Sequence, residues 1–151
     1  MISLVTPSRF LLFLLELASA FGPVGFAQDV TIRLINVKDG QPLEAQLIAL
    51  SLGDAKLAST PRVQATTSLD GAAVFHLSEP VPKQVFLDIE NGKIRACYSW
   101  SAFSSQEIIE HGVVAENKCD PKRKRKGKFT AKAGELIAFV RFLRWWERMQ
   151  T

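Results

Sequence analysis

Val30-Thr31-Ile32-Arg33-Leu34-Ile35-Asn36-Val37 decides the fold class. The run is rich in β-branched residues and sets Val30, Ile32 and Leu34 on one face, the two-residue period of a strand with a buried side. Lys38-Asp39-Gly40-Gln41-Pro42 then supplies a turn: glycine for positive φ, aspartate for a side-chain bond to its own backbone, proline for a fixed φ. Beyond it the apolar pattern resumes from Leu43 to Leu52, which predicts a second strand.

The same alternation continues along the chain. Val63, Ala65 and Thr67 precede Asp70-Gly71, and Ala73, Phe75 and Leu77 follow it, which predicts a hairpin. After the stiff Glu79-Pro80-Val81-Pro82 link, Val85, Leu87 and Ile89 mark another strand, and Asn91-Gly92 predicts a second hairpin whose return arm is Ile94 to Trp100. Ser104 with Glu107 three residues later forms a capping box, and Gly112 stands at the C-cap, so one short helix is expected near 104–112. From Glu135 to Leu143 apolar residues occupy both faces, the pattern of a central, fully buried strand. These elements predict an all-β fold, an antiparallel β-sandwich of seven or so strands in one domain over residues 28–143.

The residues before this domain read as a secretory signal. Arg9 is the single cation of the first nine residues, Phe10 to Leu15 is a compact apolar run, and small-residue cleavage patterns end at Ala20 and Ala27, the second preferred. A bilayer span needs about 20 unbroken apolar residues, and Glu16, Gly22 and Pro23 interrupt this one. Export to a secreted or periplasmic location makes the only two cysteines, Cys97 and Cys119, an expected disulfide, worth about 3 kcal/mol in the chain-entropy view.

The strand order and two turns resemble carboxypeptidase-regulatory-like and transthyretin-like modules. The similar stretches are Asp39-Gly40-Gln41-Pro42-Leu43 after the first strand and Thr66 to Phe75, with its Asp70-Gly71, followed by Val85 to Ile89. Ser68-Leu69 stands in the second motif, and Pro80 to Lys83 occupies the place of the family's Pro-Gly-x-Tyr element. The resemblance implies a seven-stranded sandwich without catalytic residues, used for folding support, adhesion or ligand binding.

At 47% apolar and 23% charged residues the composition is globular. The formal charge of +4 is unevenly distributed: residues 28–117 carry 7 basic and 11 acidic side chains, residues 118–151 carry 11 and 3. Lys122, Arg123, Lys124, Arg125, Lys126 and Lys128 form the densest cluster. Export argues against nucleic acid as its partner and leaves an anionic lipid, a glycan or an acidic protein, while the plain alternative is a solvated loop that keeps a sheet edge unpaired. Residues 144–151 form a basic, Trp-rich tail, and Phe142, just before it, recurs with Trp145, Trp146 and Met149 at three- and four-residue steps. Trp145 and Trp146 are expected to fold back and close one end of the sandwich, the alternative being contact with a membrane or a partner.

Catalytic raw material is sparse. His76 is predicted to point away from the apolar face, His111 ends the helix, and two histidines far apart do not make a zinc site. No nucleophile elbow, HExxH or phosphate-binding glycine loop occurs, and Glu107 with Glu110 reads as a solvated helix face. The expected function is a non-enzymatic binding or accessory module with no cofactor and no metal. The alternatives are a small secreted hydrolase with an unrecognised site and a membrane-peripheral protein held by its tail. Oligomeric state stays open.

Overall fold

The computed structural model describes residues 28–53, 60–89, 92–99, 102–119 and 129–149. The expected signal segment 1–27 and the basic run from Lys122 to Lys128 lie outside the described residues. The described strands are β1 (Gln28–Asn36), β2 (Leu47–Leu52), β3 (Arg62–Thr66), β4 (Ala72–Leu77), β5 (Gln84–Ile89), β6 (Ile94–Ala96), β7 (Phe103–Ser104), β8 (Val113–Val114) and β9 (Glu135–Phe142); helix α1 (Ser105–His111) lies between β7 and β8. They form an all-β sandwich of two sheets. One has the order β4-β1-β9-β6 with β8 also on β9, and the other has the order β3-β2-β5-β7.

Alternation places the core as expected. Val30, Ile32 and Leu34 of β1, Phe75 and Leu77 of β4, and Leu136, Ala138 and Val140 of β9 face Ile48 and Leu50 of β2 and Val85 and Leu87 of β5. The opposite face of β9 is also covered: Ile137 and Phe139 pack with Ile35, Cys97 and the returning residues Phe129 and Ala131. Buried on both sides, β9 sits between β1 and β6, as its unbroken apolar pattern requires. Tyr98 is buried and its hydroxyl donates to the Leu87 carbonyl at 2.9 Å, tying the β6 segment to the opposite sheet.

Two predicted hairpins are corrected. β3 pairs with β2 and β4 with β1, so the Asp70-Gly71 turn carries the chain from one sheet to the other. β6 does not return along β5; it pairs with β9 in the other sheet, while β5 takes β7 on its free edge. A local turn signal specifies reversal of direction and leaves open which strand satisfies the backbone hydrogen bonds. Burial of the apolar faces of β4 and β6 decides that. The predicted second strand is also shorter, because Ala45 at φ 55° breaks it and Thr67 stitches residues 43–46 instead. Thr67 Oγ1 donates to the Leu43 carbonyl at 2.7 Å and accepts from the Gln46 N–H at 2.9 Å.

Two pairings depart from the antiparallel expectation: β9 runs parallel to β1 and to β8. Parallel neighbours need a long connection, which the chain between β1 and β9 supplies. The consequence is that β1 and β9 end at the same end of the sandwich, with Asn36 opposite Val140. The helix forms where its caps predict: Ser104 Oγ accepts from the Glu107 N–H at 3.3 Å, and Gly112, at φ 74° and ψ 152°, ends it in a conformation reserved for glycine.

Candidate functional site

The shared C-terminal end of β1 and β9 collects cations from distant parts of the sequence. Arg95 comes from β6, Arg141 from β9, Arg144 from the segment after it, and Lys118 from the chain leading to Cys119. These four, with Tyr98, Trp146, Glu147 and the disulfide, line an open cleft of about 540 Å³. A neighbouring cleft of about 500 Å³ shares Arg141, Arg144 and Cys119 and adds Lys38 from the turn after β1. The parallel β1–β9 register is what delivers Lys38 to this surface.

Cys97 and Cys119 are joined, with their Cα atoms 5.1 Å apart, as their parity predicts. Disulfides persist in oxidising compartments. The bond pins Cys119, three residues before the basic run, onto the face beside β9. Phe129, which follows the run, packs edge-on against Phe139 of β9 with centroids 5.6 Å apart. The chain therefore leaves and returns to the described structure on one face.

The tail folds back, but its tryptophans do not close the sandwich. Trp145 is 69% exposed and Trp146 43%. The inner core is filled by Tyr98 and its neighbours, and Phe129 covers Phe139 on the outer face of β9, while Trp146 stays in the open cleft. What holds the tail is charge. A single 3-10 turn, Glu147–Met149, places the Glu147 carboxylate on the Arg141 fork, which donates through Nη1 at 2.7 Å and Nη2 at 2.6 Å. The Arg144 N–H adds a third bond to Glu147 at 2.8 Å, and Arg95 Nη1 lies 3.8 Å away. The hydrogen bond from Arg141, the backbone bond and these charges lower the Glu147 carboxyl to about 2. Above the tail, Arg144 lies over the Trp146 ring, 5.1 Å from its centroid, and Trp145 meets Trp146 edge-on at 5.8 Å.

Chemically, this end is a cationic surface walled by an indole. Arg141 is engaged by Glu147, whereas Arg144 makes no ion pair among the described residues and Arg95 is well exposed. Planar guanidinium groups match the paired oxygens of carboxylate, sulfate and phosphate.

A second charged cluster is structural. Arg33 Nε donates to Glu135 Oε1 at 2.7 Å, and its Nη1 reaches Asp70 Oδ2 at 3.3 Å. Burial pushes the Glu135 carboxyl up, but the bonds from Arg33 and the Lys132 N–H with the nearby charges outweigh it and leave the group below its ordinary range. His76 points outward, as predicted, and meets Asp29; His111 stands exposed at the helix end beside Glu110. Among the described residues no three metal-ligating side chains gather, and no helix is long and apolar enough to cross a membrane.

No protein-family model and no curated protein matches the chain. Among solved structures it is similar to the full-length major pilin SpaD of Corynebacterium diphtheriae, at 12% identity and a TM-score of 0.42 over 78% of this chain. The similarity covers 30% of that pilin's length.

Proposed function

We propose that the protein is an exported, non-enzymatic β-sandwich module, secreted or periplasmic, that binds an anionic partner through its cationic and aromatic end. The observation that carries this reading is the convergence of Arg95, Lys118, Arg144 and Trp146 on one cleft beside the Cys97–Cys119 disulfide. Lys122, Arg123, Lys124, Arg125, Lys126 and Lys128 follow three residues after Cys119 and extend the same positive character in sequence. The rest of the domain is net acidic, so its long-range field orients an anionic partner toward this end.

The finer reading, a carboxypeptidase-regulatory-like or transthyretin-like module, is supported by how its two motif turns meet. A Cβ added at Gly71 would come within 2.8 Å of both the Leu34 carbonyl and Pro42. Glycine is required there because the Asp70-Gly71 turn lies directly on the Pro42-Leu43 turn.

Replacing Lys122, Arg123, Lys124, Arg125, Lys126 and Arg144 with glutamine tests the function. Binding to anionic vesicles or to an immobilised sulfated polysaccharide should weaken about tenfold or more at low salt, with a shallower salt dependence. Unchanged binding at low salt would remove the electrostatic basis of the reading.

A further inference from the structure

Resting on that reading and narrowing it to one partner, we propose that the cationic–aromatic end seats on the surface of an anionic lipid bilayer. Trp145 and Met149 enter the interfacial layer, and Arg95, Lys118 and Arg144 meet lipid phosphates.

The tail presents large apolar side chains outward. Met149 is 72% exposed and Trp145 69%, and Phe142 at the end of β9 is 47% exposed. All three lie within eight residues of one another, around a turn held by the Arg141–Glu147 pair. A soluble glycan or acidic peptide in the cleft would use Trp146, which lines it, and would leave Trp145 and Met149 in water. A bilayer interface takes up Trp145 and Met149 as well. Indoles favour the headgroup level, where an apolar ring and a polar N–H are both satisfied, and arginines beside them meet the negative surface potential. Glu147 fixes the turn in advance, so little ordering is required on contact. Because Glu147 engages the Arg141 fork at 2.6 and 2.7 Å, Arg141 acts as a positioning residue, and the phosphate contacts fall to Arg144 and to Arg95 and Lys118, whose ion pairs with Glu147 and Glu116 are looser at 3.8 Å.

The test uses protein recovered from an oxidising compartment, its N-terminus established by mass, with a Trp100→Phe exchange so that emission reports the tail. Vesicles of phosphatidylcholine with and without phosphatidylglycerol are compared with a soluble sulfated polysaccharide and with polyglutamate. Binding to the anionic vesicles should exceed binding to neutral ones by about tenfold, and Trp emission should shift to the blue on contact. A Trp145→Ser/Met149→Ser variant should bind anionic vesicles about tenfold more weakly while retaining its melting temperature and its affinity for the soluble polyanions. Binding to the soluble polyanions with none to anionic vesicles overturns the membrane assignment and keeps the broader function. Vesicle binding unaltered in the Ser/Ser variant, with no emission shift, does the same. Binding to none of the probes at low salt overturns both.

Discussion

Glu147 is the residue on which the geometry of the tail depends. With its carboxyl lowered to about 2 from an ordinary value of 4.5, its stabilising effect is fully present above that ordinary value. That effect is lost as pH falls from there through about 2. The Trp146 indole resonance should thus hold its position at pH 5 and move toward that of a released tail only in strong acid. In Glu147→Gln the indole should be displaced already at pH 7, with Trp146 more accessible to acrylamide. An unmoved Trp146 resonance in the variant would deny Glu147 this role.

Gly112 is the other residue with a sharp requirement. A Cβ there would lie 2.1 Å from the Lys132 carbonyl oxygen at a φ of +74°. Gly112→Ala should cost on the order of 2–3 kcal/mol in urea unfolding. Gly92→Ala, where the added carbon meets nothing within 4 Å, should stay within about 0.5 kcal/mol. Gly112 was legible in sequence as a helix cap. The contact with Lys132 was not, since it depends on how the segment before β9 returns past the helix.

At the scale of elements, β1, the helix and β9 are written plainly in the sequence, because each has a strong local signal: alternation, paired caps, and apolar residues on both faces. Sheet membership is not local. Arg62 to Thr66 and Ala72 to Leu77 flank a good turn, yet they belong to different sheets, because an edge strand with mostly exposed residues and a strand burying Phe75 and Leu77 have different partners available. The parallel placement of β9 on β1 was likewise hidden, and with it the meeting of Lys38 with Arg141 and Arg144. Since β9 is covered on both faces, truncation on either should be costly. Leu136→Ala should lose about 2–5 kcal/mol from the inner core and Phe139→Ala about 3–5 kcal/mol from the outer layer, read from the urea midpoint. A loss below about 1 kcal/mol for Phe139→Ala would mean the outer layer is not a packed core.

For the whole molecule, the modest +4 of the sequence resolves into an acidic sandwich with a cationic end. The cysteines, the cations and the tryptophans were each legible from residue type. Their assembly was not, because it requires the β6–β9 pairing, the disulfide and the Arg141–Glu147 pair together. Replacing both cysteines with serine should cost about 2–5 kcal/mol of stability and loosen the point from which the basic run departs. This end of the sandwich is the proposed contact surface. It is tested most plainly by an amide and indole NMR titration of the disulfide-bonded protein with phosphatidylglycerol nanodiscs at low salt. Perturbations are expected at Arg95, Lys118, Arg141 and Arg144 to Met149, with β2, β3 and the helix unmoved; perturbations confined to the β3-β2-β5-β7 sheet, or none at all, would place the contact surface elsewhere.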